Sequence, residues 1–220
     1  GAREKLRVLP VCVDIDEFGP AIQPATLNTG RGFNFLSVLE LEERSGWDLL
    51  VDAWARAFGT SEDVALVLAI PAVDGQALQA AANQVQQLLS RVAPGKQVAP
   101  IQVIPVGPGS ANLANVYRGV QAYVQPSRGE SWCRSLLEAM ASELPVIGSN
   151  WGSGAEVFSD QNAYPIECDV VPVPATALPR SAVEYDWPDD GPATPIIIPD
   201  PECHWAQPSV DRLAELMRRV

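Results

Sequence analysis

The feature that most constrains this chain is an alternation. Short, nearly continuous apolar runs, "FNFLSVL" (33–39), "VALVLAI" (64–70), "IQVIPV" (101–106), "AYVQP" (122–126) and "PVIGS" (145–149), are separated by longer stretches of helical period. Strands that are apolar on both faces must be covered on both faces, which is the condition of a parallel sheet flanked by helices. Between the first two runs, "GWDLLVDAWARAF" repeats Trp47, Leu50, Trp54 and Phe58 at helical spacing. Between the next two, "QALQAAANQVQQLLSRV" gathers Leu78, Ala82, Val85, Leu89 and Val92 on one face. "SANLANVYRGV" (110–120), with Ser110 as its cap, and "SLLEAMAS" (135–142) supply two further helices. Strand and helix in strict succession imply βαβ units, hence an α/β fold with one doubly wound parallel sheet in a single domain.

The pattern breaks after residue 168. "DVVPVPATALPRSAVEYDWPDDGPATPIIIPDP" is rich in proline and holds no period, so residues 169–208 are expected to form an irregular excursion from the domain. A last amphipathic helix follows in "PSVDRLAELMRRV", with Ser209 as its cap and Val210, Leu213 and Met217 facing inward.

Composition excludes several classes of function. The net charge of −12 comes with no clustered basic face, which argues against nucleic acid or an anionic membrane surface as partner. No run approaches the ~18 apolar residues of a membrane span. The start "GAREKLRVLP" lacks a signal-peptide pattern, so a cytoplasmic location is expected. The four cysteines (Cys12, Cys133, Cys168, Cys203) form no CxxC pair and His204 is the single histidine, so no metal site and no resident cofactor are expected. The adjacent Cys203 and His204 are the nearest approach to a ligand pair, and reduced thiols are the simpler reading.

In open parallel sheets ligands bind at the carboxyl ends of the strands, against helix starts. Three turns there are polar: "ELEERSG" (40–46), "SRGESWC" (127–133) and "NWGSGAE" (150–156). The middle one carries most. Gly129 permits close approach of a ligand to the backbone, and the amides of Ser131, Trp132, Cys133 and Arg134 are read as opening the next helix, a setting that favours a diphosphate. Glu130 stands at the helix mouth and Glu138 two turns in, roughly 12 Å apart along the axis at the α-helical rise. That distance matches the reach from a sugar to a ribose across a diphosphate. The bland alternative has Glu130 as a helix cap, Glu138 as a solvated residue and Arg134 as a surface arginine. Trp47, Trp54 and Tyr117 read as core, whereas Trp151, beside Gly152 and Gly154, is a candidate to line a pocket.

"PSRGESWCRSLLEAMASELPVIGSN" resembles the donor-site signature of the retaining group 1 glycosyltransferases, close to "PSxxEGFGxxxLEAMAxGxPVIAT". The proline and serine, both glutamates, "LEAM" and "PVI" coincide. In chain order, "VLPVCVDIDEFGP" (8–20) is similar to that family's interdomain linker. "WGSGAEVF" resembles its "GGxxEFV" loop, and "HWAQPSVDRLAELMRRV" its "WAEPSxxxLxxLMR" segment. The resemblance covers nearly the whole chain but only the C-terminal, Rossmann-like half of a two-domain enzyme. It implies a linker-like segment over 1–20 and a donor-binding domain over 21–220. A separate N-terminal domain would bind the acceptor.

Carried over by position, the resemblance implies that Glu130 contacts hydroxyls of the donor sugar and acts as the catalytic acidic residue, by positioning and electrostatics. Glu138 would hold the ribose, and the amides of Ser131, Trp132 and Cys133 would cradle the diphosphate. The case for Trp132 as a pocket residue rests on the same resemblance, which has an aromatic beside the donor at that position. The basic pair of "RKG" becomes Arg44 and Ser45, with Arg134 as a compensating cation, and the glycines of "EGFG" become Ser131 and Cys133. The expected function is donor binding in a glycosyltransferase that moves a sugar from a nucleoside-diphosphate sugar to a hydroxyl. The alternative is a degenerate, non-catalytic nucleotide-binding or interaction module of a larger protein.

Overall fold

Along Phe33–Val38 (β1) consecutive side chains point to opposite cores, Phe35 into one and Leu36 into the other, both essentially without solvent contact. That two-sided burial is what an apolar strand demands, and it recurs in Val64–Pro71 (β2). A computed structural model describes residues 11–72, 74–107, 112–159, 161–174, 177 and 203–220. Ile101–Val106 (β3), Ala122–Gln125 (β4), Val146–Ser149 (β5) and Tyr164–Ile166 (β6) complete a six-stranded sheet in the order β3-β2-β1-β4-β5-β6. Every pairing in it is parallel, with Phe33 opposite Val64 on one side of β1 and Phe35 opposite Ala122 on the other. The five strands read from the sequence are all present; β6, too short to leave a pattern, is additional.

One face carries Trp47–Ala57 (α2), Gly75–Val92 (α3) and Val210–Arg219 (α7). The other carries Ile15–Phe18 (α1), Leu113–Arg118 (α4) and Arg134–Ala141 (α5). Trp54, fully buried at the heart of the first core, packs edge-on to Phe35 and donates its indole N–H to the Ala99 carbonyl at 3.0 Å. That bond satisfies the one polar atom such a residue brings inside. Leu213, Leu216 and Met217 press α7 onto α2, with Ser209 capping α7 through the Arg212 amide, while Val210 is partly buried. The C-terminal carbonyls of α2 receive cations, Lys96 at Ala55 and Arg218 at Ala57, the sign the helix dipole favours there.

Two expectations are corrected, and the segment read as linker-like gains a local structure. The cap of α4 is Asn112, which accepts from the Ala114 amide; Ser110 lies outside the described residues. The linker-like segment is partly docked: Asp14 caps α1, and Phe18 is buried against Tyr117. The excursion 169–208 is not irregular at its ends, because Cys168–Pro172 (β7) pairs antiparallel with His204–Pro208 (β8). Pairing across some thirty intervening residues leaves no local period to read. The rest of that excursion, but for 173, 174, 177 and 203, lies outside the described residues. Among the described residues no helix is long and apolar enough to cross a membrane.

Candidate functional site

The strand order reverses between β1 and β4, and a cleft of about 330 Å³ opens at their carboxyl ends. Such switch points are where open α/β sheets bind ligands. Its lining includes Glu40, Arg44, Ser45, Gln125, Glu130, Trp132, Cys133, Arg134 and Glu138. Seven of the eight residues singled out from the sequence therefore converge here. Ser131 is exposed and outside the lining, as is Trp151.

The turn between β1 and α2 brings up Arg44. Residues Glu43–Ser45 form a single 3₁₀ turn, closed by Gly46 in the left-handed region (φ 73°). A Cβ at Gly46 would lie 1.9 Å from the Pro126 carbonyl oxygen, so the turn sits directly on the loop after β4. Arg44 reaches across that contact to Glu130 Oε1 (3.1 Å) and the Gly129 carbonyl (2.9 Å). The buried Ser45 hydroxyl is engaged within its own turn, donating to the Glu40 and Glu42 carbonyls at 2.6 and 2.7 Å. It closes its own turn and does not replace a lysine.

The helix begins later than the sequence suggests. That holds for the loop residues read as its opening, not for the helix itself: α5, read over 135–142, starts at Arg134 with Cys133 as N-cap, so Glu130 neither caps it nor belongs to it, and the axial 12 Å reckoning does not apply. Of the four amides assigned to a phosphate cradle, two are taken. Cys133 N–H donates to Ser153 Oγ at 3.1 Å, and Arg134 N–H to the Trp132 carbonyl at 2.7 Å. Ser153, at the start of Ser153–Val157 (α6), also donates to Cys133 Sγ at 3.2 Å. A side chain at 133 thus occupies space and partners that a glycine leaves open. The amides of Ser131, Trp132 and Ser135 have no hydrogen-bond partner among the described residues.

Glu138 is buried, against the reading of it as a solvated residue. Arg134 Nε donates to its Oε1 at 3.0 Å, and the Tyr117 hydroxyl lies 3.2 Å from its Oε2. Burial raises its pKa, opposed by the bonds from Tyr117 and Arg134. Burial also raises the pKa of Glu130, offset in part by Arg44, with Glu40 and Glu42 adding repulsion. The cleft therefore pairs each cation with a carboxylate, Arg44 with Glu130 and Arg134 with Glu138.

Sequence reasoning passed over Arg128. Its side chain is buried and forms a two-pronged pair with Asp48, 2.7 Å at each oxygen, at the start of α2. It also donates to the Glu43 carbonyl and to Gln207 Oε1, and stacks 5.3 Å over Trp205. Its backbone joins Arg44 on one side and Ala206 on the other. The partners lie roughly eighty residues away on either side, so no local spacing signals the role. Among the described residues no group of side chains has the make-up of a metal site.

Relatives extend what the geometry suggests. A peptide N-acetylglucosaminyltransferase subunit, GtfA of Streptococcus agalactiae, is 37% identical over 54 residues, 24% of this chain and 11% of that protein. Among solved structures, Anabaena HepE in complex with UDP and glucose superposes with a TM-score of 0.54 at 17% identity, over 70% of this chain and 41% of HepE. The C-terminal domain of LpcC from Francisella tularensis, a glycosyl transferase group 1 protein, gives 0.50 at 21% identity, over 71% of this chain and 80% of that domain. These likenesses establish the Rossmann-like fold of such enzymes' domains, and the chain spans well under half the length of HepE. The sequence model described as glycosyl transferases group 1 matches residues 32–177, from the start of the sheet through the ribbon's first strand. With both the sequence and the fold in agreement, this chain belongs to the group 1 glycosyltransferases.

Proposed function

We propose that the domain binds the donor, a nucleoside-diphosphate sugar, for a retaining transfer of the sugar to an acceptor hydroxyl. The observation that carries this reading is the convergence of Arg44, Glu130, Arg134 and Glu138 on one cleft at the switch point of the sheet. Glu138, oriented by Tyr117, is a fixed acceptor suited to ribose hydroxyls. Unpartnered amides at Trp132 and Ser135, on either side of the α5 start, together with the helix dipole, favour the diphosphate. Glu130, at the rim of the cleft, is placed for hydroxyls of the sugar. HepE, which shares this fold, was solved holding UDP and glucose, which makes uridine nucleotides the first candidates. The acceptor would be held by a separate domain, no resident cofactor is needed, and the work belongs in the cytoplasm.

The test is titration calorimetry of UDP and UDP-sugars, with Glu138→Ala beside the native chain. Micromolar to millimolar binding, weakened about ten-fold or more by the substitution, is expected for a lost hydrogen bond to a buried carboxylate. Equal binding by both proteins rules out the ribose role.

A second reading has its own support. Arg44 and Arg134 are each neutralised by a glutamate, and the Ser45 hydroxyl is engaged within its own turn, which suits a domain that has lost its phosphate clamp and serves as a binding module. No heat with any nucleotide would favour it.

A further inference from the structure

The residue at the floor of the cleft is Gln125, the last of β4, only 5% exposed. Its carbonyl oxygen accepts two hydrogen bonds, from the Tyr123 hydroxyl and the Ser135 hydroxyl, each at 3.0 Å. Two donors occupy both lone pairs of Oε1, so the amide is locked in one orientation. Its NH₂ group, by contrast, has no partner among the described residues, and it is not sealed off from solvent. A buried side chain whose acceptor is doubly satisfied and whose donor is left open toward a cleft is arranged for a ligand that accepts. Its neighbour Ser135, in the first turn of α5, also keeps a free backbone amide.

We infer that Gln125 is a ligand-contacting residue, donating its side-chain N–H to a phosphoryl oxygen of the nucleoside diphosphate. The inference rests on the donor-binding reading and deepens it. In a cleft where Glu40, Glu130 and Glu138 face two cations already engaged by carboxylates, a neutral donor can hold an anion without a salt partner of its own. Tyr123 and Ser135 act through it: their hydroxyls fix the direction in which the NH₂ points.

The experiment is a titration of the ¹⁵N-labelled chain with UDP and, separately, with uridine, following the Gln125 side-chain amide signals. They are expected to shift with UDP and to stay in place with uridine. In parallel, UDP affinity is measured for Gln125→Met and Gln125→Glu, with the fold of each checked from its backbone amide spectrum. Both remove the NH₂, and about ten-fold weaker binding is expected of each, the loss of one hydrogen bond to a charged group. Side-chain signals that stay put while backbone signals move would overturn the assignment, as would native-like affinity in either folded variant. Should neither variant fold, the titration of the native chain decides alone. If no signal of any kind moves with UDP, the donor-binding reading fails and takes this inference with it.

Discussion

Glu138 shows how one residue can report on its surroundings. Burial raises its pKa in the folded state above the unfolded value, so the folded chain holds the proton to higher pH. Stability contributed by this group is present at acid pH and declines as pH rises from the ordinary carboxyl value through the raised one. Glu138→Gln, which cannot ionise, is expected to be more stable than the native chain at pH 7, and the gap should close on acidification below the carboxyl range. Denaturant melts at pH 3 and pH 7 check the sign. Its ion pair is a poor counterweight, because Arg134 is 69% exposed and such pairs contribute little. Arg128 is the opposite case, a charge at 4% exposure. Removing it leaves Asp48 without its partner, and Arg128→Ala should cost about 3 kcal/mol, the lower end of the range for a broken buried pair because Asp48 keeps some contact with water. Arg128→Lys should recover little of this, since an ammonium offers neither the fork nor the stacking plane. A urea midpoint for Arg128→Lys close to the native one would refute that account.

Among the elements, the turn at Glu43–Gly46 is the most tightly specified. Gly46 combines a positive φ with backbone contact at Pro126, and neither can be relieved by moving a flexible side chain. Gly46→Ala is expected to lose about 2–4 kcal/mol, the scale of a strained special position, and to loosen Arg44 from Glu130. Thermal melting measures the first and the UDP titration the second. How far the sequence foretold each element follows from the range of the forces involved. β1 through β5, α2, α3, α5 and α7 repeat an apolar period within a single segment, so Trp54, Val85 and Leu213 announce their own burial. β7 and β8 are set by pairing over a long interval, and β6 by its place at the sheet edge; neither leaves a period. That Glu130, Glu138 and Arg44 gather at one cleft was legible because the family resemblance singles them out. Arg128 and Gln125 were not, since their meaning depends on Asp48, Trp205, Tyr123 and Ser135 arriving from elsewhere. The helix α5 was legible to within a residue, but reading Ser131, Trp132 and Cys133 as its opening was not right, for a physical reason: Trp132 and Cys133 engage in a tight turn and a bond to Ser153 before helical geometry sets in.

For the molecule as a whole, the proposed donor-binding role makes the cleft a half-site. Sugar transfer needs an acceptor hydroxyl within about 3–3.5 Å of the anomeric carbon and water excluded from the gap. Relatives such as HepE are more than twice as long as the portion this chain matches. This chain alone is therefore expected to release no glycoside product from labelled nucleotide sugars, and steady turnover would contradict the half-site view. The β7–β8 ribbon carries a different consequence. Pro172 and His204 stand opposite one another, so everything between them departs from and returns to a single point on the surface. Closing a longer connection costs only about 0.6 kcal/mol more for each doubling of its length, and the paired strands already hold the two ends together. The pair of strands behaves as a socket: a reporter domain, an affinity handle or another protein's recognition loop could be spliced into it while the sheet and its cleft remained indifferent to what was plugged in.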